Sequence, residues 1–335
     1  MSSRTSSPSL VLAGDVGGTK TLVGLFERAP GRPRSLGVFT YPTAAYRSFT
    51  DILDAFARDI GRPLVIAAAA AGVAGPVVDA RARLTNIDWD VNADEISDFA
   101  GTSRVKLVND LEAMAASTDV LTSDEVVVLQ EGRPHPDGNA VVIAAGTGLG
   151  EAYLHRVAGR LLPLASEGGH GDFAARTDRE IELLRALRDE YGRAEVEHVV
   201  SGPGLVNVHR FTHRGEPCGE IDRVAPEDRA AAISQAALEA RCPACMEALS
   251  MFVSAYGAEA GNLALRGVAL AGVFVGGGIA PKILPALQDG TFIEAFRAKG
   301  SMSALVEKVP VKVILSPEAG LLGAAVHAQA LLLDA

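Results

Sequence analysis

The chain has 335 residues, 48% of them apolar and 21% charged, with a net charge of −10. That balance supports a sizeable core in one large or two medium domains. It argues against nucleic acid and anionic membranes as partners, because both repel an acidic chain. Met1 to Ser9 is polar and Ser-rich with no long apolar run behind it, so no secretory signal is read. The most apolar segments, Leu64 to Val78 and Val268 to Ala280, contain glycine and fall short of a membrane span.

Leu10 to Phe26 reads as strand, tight turn, strand, with Asp15, three glycines and Thr19 between two apolar runs. Leu36 to Tyr41 reads as a third strand. Phe49, Ile52, Leu53, Phe56 and Ile60 keep helical spacing, and Gly61 suits the position that ends a helix. Leu64 to Ala71 is a run for a strand buried on both faces. Arg83 to Asp90 surrounds the single Trp89. A short helix over Asn92 to Phe99 precedes a strand over Val105 to Val108, and a helix follows from about Leu111 to Ser117. Ala140 to Ala145 then repeats the opening pattern, with a Gly/Thr turn and an outgoing strand over Glu151 to Val157. The unit occurring twice points to duplicated architecture. Helices are expected at Glu180 to Tyr191, Leu205 to His213, Pro226 to Ala240 and from Cys245 to Leu270. Gly272 to Val275 is a strand, Pro281 opens a helix, Val311 to Leu315 is a strand and Glu318 to Leu333 is the terminal helix. Alternating strands and helices give the α/β class.

Five stretches carry possible chemistry. Gly14-Asp15-Val16-Gly17-Gly18-Thr19 can point backbone N–H groups at a phosphate, with Asp15 holding water on Mg²⁺. It is also compatible with an ordinary hairpin turn, and it is not a Walker A loop. Asn109-Asp110 ends a buried strand, where open α/β sheets place ligands. Asp110 there is either a general base or the N-cap of the next helix. Glu167-Gly168-Gly169-His170-Gly171-Asp172 offers a carboxylate and an imidazole to neighbouring hydroxyls, or it is a polar surface loop. Gly146 to Gly150 and Gly276-Gly277-Gly278 are a second phosphate turn and a close approach to a flat ring, or plain connections. Cys242-x-x-Cys245 lacks further zinc ligands at a fitting spacing nearby, so the cysteines read as free thiols in a reducing cytoplasm.

Taken together, these motifs resemble the bacterial glucokinases, members of the sugar kinase and actin-like ATPase superfamily. The resemblance covers the chain from Leu10 onward. It rests on Gly14 to Thr19, Val108-Asn109-Asp110, Ala145 to Gly150, Glu167-Gly-Gly-His170, Ser201-Gly-Pro-Gly-Leu205, Gly272 to Gly278 and Gly320-Leu-Leu-Gly323, in the family's order and spacing.

The resemblance implies a two-domain actin-like ATPase (ribonuclease-H-like) fold with a ligand cleft between the domains. Residues 1–118 and 311–335 would form the smaller domain and 119–310 the larger. The implied reaction is ATP-dependent phosphorylation of D-glucose to glucose 6-phosphate. Rivals are a kinase for mannose, fructose or an N-acetylated hexose, a sugar-sensing repressor and an actin-like ATPase. Gly14, Asp15, Val16, Gly17, Gly18 and Thr19 would hold ATP, together with Gly146, Thr147, Gly148, Gly276, Gly277 and Gly278. Mg²⁺ would arrive with ATP, near Asp15, with no metal bound directly by the chain. Asp110 would be the catalytic base, and Asn109, Glu167, His170 and Glu197 would hold the remaining hydroxyls. The family is cytoplasmic and often dimeric, which implies a homodimer.

Three departures stand out. The first turn ends in Thr19-Lys20 where Thr-Asn is usual, as in the neighbouring family of repressors and kinases. That neighbour's zinc-binding Cys-x-Cys-Gly run is absent here. Ala145 and Ala165-Ser166 replace the usual Gly and Pro-Gly.

Overall fold

The structure is a computed structural model that describes residues 10–84, 87 and 89–333. The Ser-rich start, Met1 to Ser9, and Thr85, Asn86 and Asp88 beside Trp89 lie outside the described residues. The chain divides into two compact units, one up to Thr122 and from Ser316, the other from Ser123 to Leu315.

The first unit opens with β1 (Leu10–Val16), β2 (Lys20–Glu27) and β3 (Arg34–Pro42), an antiparallel meander. Helix α1 (Phe49–Asp59) leads to β4 (Ile66–Val73), which pairs parallel to β1. A small ribbon of β5 (Val77–Val78), β6 (Arg81–Arg83) and β7 (Asp90–Asn92) precedes α2 (Ala93–Ala100). Then come β8 (Val105–Asn109), parallel to β4, and α3 (Asp110–Ser117). The sheet order is β3-β2-β1-β4-β8.

Side chains alternate along β1, as a strand buried on both faces requires. Leu10 and Leu12 pack with Phe49, Ile52, Phe56 and Ile96 of α1 and α2. Val11 and Ala13 pack with Leu321, Ala324, Ala325 and Ala328 of the C-terminal helix Ala319–Ala330. Ser48 caps α1 by accepting from the Asp51 N–H at 3.1 Å, and Gly61 follows the helix at φ +60°.

The second unit contains β9 (Val126–Gln130), β10 (Ala140–Ala145), β11 (Leu149–Val157) and β12 (Arg160–Ser166). Helices α4 (Asp178–Tyr191), α5 (Gly202–Thr212), α6 (Arg229–Leu238) and α7 (Pro243–Gly267) follow, and then β13 (Gly272–Gly276) and β14 (Val311–Ile314). The order is β12-β11-β10-β13-β14-β9. Its first five strands reproduce the first sheet: an antiparallel meander, then two parallel additions. The weak echo in the sequence is a repeated sheet topology. One large core joins β10, β13 and β14 to α5, α6 and α7 through Ile143, Val275, Leu205, Ile233, Phe252 and Tyr256.

Two expectations need correction. The strand Val311–Ile314 was expected in the first unit, but it pairs with β13 and β9 and so lies in the second; the boundary falls after Leu315. Pro281 does not open an α-helix. It sits in a 3₁₀ turn, Ala280–Ile283, that precedes the helix Leu284–Gln288. Among the described residues, no helix is long and apolar enough to cross a membrane.

Candidate active site

In the first unit, the turn between β1 and β2 is held by its own backbone and by one threonine. The Gly17 N–H donates to Lys20 O at 3.1 Å and the Thr43 N–H to Thr19 O at 3.0 Å. Thr43 is buried, and its hydroxyl donates to Gly17 O at 2.8 Å. Gly17 and Gly18 are half-buried and Thr19 is exposed, so this edge faces outward. Gly14 and Val16 differ from the rest of the motif. A Cβ on Gly14 would come 2.8 Å from the Phe49 ring, and Val16 is fully buried. Both are packing positions beneath the turn.

Asp15 is half-buried on β1. Its neighbour on the C-terminal helix is Gly320, where a Cβ would lie 2.8 Å from Asp15 Oδ2. Burial, and next Asp110, push its pKa up to about 6, with Lys20 acting in the opposite sense. The two carboxylates therefore share one field.

Asp110 is the first residue of α3, and Asn109 is the N-cap. Asn109 Oδ1 accepts from the Leu111 N–H at 2.9 Å, and its Nδ2 donates to Gly75 O at 3.2 Å. Asp110 Oδ1 accepts from the same Leu111 N–H at 2.8 Å. The capping role open to Asp110 in the sequence thus belongs to Asn109. The start of α3 is fixed by small residues. A Cβ on Gly323 would overlap Ala113 O, and one on Gly72 would come 2.7 Å from Ala113 Cβ.

In the second unit, the Gly146 N–H donates to Gly148 O at 2.8 Å, closing the turn between β10 and β11. The Gly202 N–H, at the start of α5, donates to Gly146 O at 2.8 Å. A helix N-terminus is thereby tied to the turn, and such a terminus favours anions. Beside it lies a cavity of about 630 Å³, within the range of small-molecule sites. Gly146, Thr147, Gly202, Gly278, Ile279 and Lys282 are among its lining.

Gly276 and Gly277 support this wall from behind. The Tyr256 hydroxyl is buried between β10 and β13, 3.2 Å from Gly276 O and 3.1 Å from the Ala145 N–H. Gly277 has φ +83°, and a Cβ there would overlap Ala145 O. Ser201-Gly202-Pro203 is a functional stretch that the motifs left without a role: Ser201 caps α5 and Pro203 stands in its first turn. That helix-start pattern was the available signal.

Glu167 precedes the 3₁₀ turn Gly168–His170, which lies on the start of β11 because its glycines have no Cβ. A Cβ on Gly169 would overlap Leu149 O, and one on Gly168 would overlap the Glu151 carboxylate. The segment Glu195–Glu197 runs beside this loop. The Val196 N–H donates to Gly171 O at 2.9 Å and the Glu197 N–H to Gly169 O at 3.0 Å. Glu167, His170 and Glu197 therefore gather at one edge of the second unit. His170 Nδ1 is 2.8 Å from Glu195 Oε2, a bond that raises the imidazole's pKa. Glu195 orients His170, and sequence reasoning missed it.

A sheet order that occurs twice, each copy with a glycine turn after its first strand, is the architecture of actin-like ATPases, shared by solved sugar kinases. A crystal structure of glucokinase from an Antarctic psychrotroph superposes with a TM-score of 0.85 at 30% identity, covering 97% of this chain and 100% of that one. One from Balamuthia mandrillaris, in complex with glucose, shares the fold with a TM-score of 0.78 at 20% identity, covering 98% of this chain and 95% of that one. The Glucokinase family profile matches residues 12–331. A glucokinase of Synechocystis sp. is 39% identical over 344 residues, 95% of this chain and 97% of the relative. The chain belongs to the glucokinase family. Its reaction is ATP-dependent phosphorylation of D-glucose, and no other hexose is better supported.

Proposed function

We propose that Asp110 is the base that takes the proton from the glucose 6-hydroxyl as that oxygen attacks the γ-phosphoryl group of ATP. The observation that carries this reading is the placement of Asp110 at the end of β8, with only β4 between it and Asp15 through the register of Gly72, beside the first glycine turn. A carboxylate at a strand end beside a phosphate turn can accept a proton where the phosphoryl group arrives. Asn109, Glu167, His170 and Glu197 hold the remaining hydroxyls. The backbone of Gly17, Gly18 and Thr19 and that of Gly146, Thr147 and Gly148 grip phosphates. The apolar lining of the cavity, with Leu205, Val206, Ile279 and Ile283, suits the flat base of the nucleotide.

Mg²⁺ fits this site. Asp15 is a hard oxygen donor whose charge is disfavoured by burial and by Asp110, and a cation relieves both penalties. Asp15 would hold it through water, and the ion's contribution is to neutralise phosphate charge. We also infer a cytoplasmic homodimer, as the family resemblance implies.

Glucose selection would rest on the polar side chains assigned to its hydroxyls. Each deleted or inverted hydroxyl leaves a partner unpaired, at a cost of about 1–3 kcal/mol. A coupled ADP-release assay over a panel of sugars tests the reading. Glucose is expected to lead galactose and fructose in kcat/KM by at least about tenfold. Equal turnover of fructose or N-acetylglucosamine would replace it with a broad hexose kinase.

A further inference from the structure

All three cysteines, Cys218, Cys242 and Cys245, are buried in the second unit. The sequence was read as offering no further metal ligands near Cys242-x-x-Cys245, and the structure corrects that. His209 and His213 stand one helical turn apart at the end of α5, facing the start of α7, with Cys218 arriving from the connecting loop. One ligand atom each from His209, His213, Cys218 and Cys245 lies within 4.8 Å of all the others. Cys242 caps α7 by accepting from the Cys245 N–H at 3.4 Å, and its Sγ is 3.3 Å from His213 Nε2. The two imidazole centroids are 4.4 Å apart with their planes tilted by 45°.

A second observation points to a ligand. His209 is 7% exposed, and its Nε2 is buried with no hydrogen-bond partner among the described residues. A buried nitrogen left unpaired costs about 1–3 kcal/mol, and a metal bond would satisfy it.

We propose that His209, His213, Cys218 and Cys245 form a structural zinc site, with Cys242 hydrogen-bonded beside it. His209-x₃-His213 is zinc-ligand spacing, and Cys218 and Cys245 reach it from separate segments through the fold. Imidazole and thiolate donors select zinc over magnesium or calcium. Two thiolates balance the charge of Zn²⁺, so the buried site carries no net charge. On binding, the Cys218 and Cys245 thiols each release a proton to solvent, and no redox step is involved. Four protein ligands close the coordination sphere, which makes the site structural, not catalytic. It fastens the end of α5 to the start of α7 and pins the Cys218 loop. The other end of α5 supplies Gly202 and Pro203 to the cavity wall.

The test uses the full, untagged chain purified under reducing conditions without chelator. Elemental analysis is expected to give about one zinc per chain. Replacement by Co²⁺ should give tetrahedral ligand-field bands with a thiolate charge-transfer band. Cys218→Ser and His209→Ala should each lower retained zinc by at least about tenfold. A strong chelator should lower the Tm of the wild type, while that of a folded Cys218→Ser protein should not move. If neither variant folds, the wild type decides alone. Folded, active wild-type chain that retains no zinc and shows no thiolate band with Co²⁺ would overturn the proposal. Undiminished zinc in Cys218→Ser would overturn it as well.

Discussion

Glu197 Oε2 accepts a hydrogen bond from the Leu149 N–H at 2.7 Å, which joins a carboxylate assigned to the sugar to the turn assigned to phosphate. A Cβ on Gly148 would lie 2.6 Å from the same oxygen. The missing side chain at Gly148 is therefore what lets Glu197 occupy its position. Gly148→Ala should displace the Glu197 carboxylate and raise the KM for glucose by about tenfold, with a smaller effect on the KM for ATP. Steady-state kinetics with each substrate varied in turn separates the two. A rise confined to ATP would make Glu197 a support of the phosphate turn only.

Asp15 gives a pH dependence of definite sign. Its pKa is pushed up to about 6 by burial and Asp110. The carboxylate is ionised above that value and neutral below it, and only the ionised form favours a cation. Affinity for MgATP should therefore fall by about tenfold in all between pH 8 and pH 5, most of it below pH 6. Calorimetric titration between pH 5 and 8, on an about one-unit grid, reads this directly. The Asp15→Asn protein should bind weakly throughout and lack the added slope. An identical slope in both proteins would assign the titration to another group.

Glu151 governs stability more than binding. It is 1% exposed, and neither carboxylate oxygen has a hydrogen-bond partner among the described residues. Burial, with Glu259 adding to it and Arg266 opposing, pushes its pKa from 4.5 up to about 7. The folded state then holds a proton that the unfolded state has released. Stability is present in full below the unfolded value and is lost as pH rises from about 4.5 to about 7, by at most about 3 kcal/mol. Glu151→Gln removes the titrating charge. Its Tm should exceed that of the wild type at pH 8 by about 2–6 °C and match it near pH 4.5. A variant less stable at pH 8 would show that the ionised carboxylate makes a favourable contact.

Legibility in the sequence followed the range of the interactions. The run Ala140–Ala145 with its Gly/Thr turn, and Phe49 to Gly61 around α1, are local signals, and the elements lie where those signals put them. The edge strands β9 and β12 were not read. β12 holds the apolar residues Leu161, Leu162 and Leu164, but Pro163 among them argues against a strand and suits only an edge position. β9 carries the β-branched run Val126-Val127-Val128-Leu129, a short strand signal that was available in the sequence. The site divides in the same way. Asp110 and the glycine turns are contiguous motifs, whereas Glu195 meets His170 because an isolated bridge, Asp172 to Glu195, brings distant segments together. His209 and His213 have metal-ligand spacing in the sequence, but only the packing of α5 on α7 brings them to Cys245.

The role of Asp110 is the centre of this account, and turnover of Asp110→Asn at saturating glucose and ATP tests it most directly. The substitution keeps size and removes basicity, and Asn109 retains the cap on α3. The account predicts a kcat loss of roughly 10²-fold or more, with the Tm and the KM for ATP close to wild type. Near-wild-type turnover in a folded Asp110→Asn protein would contradict it.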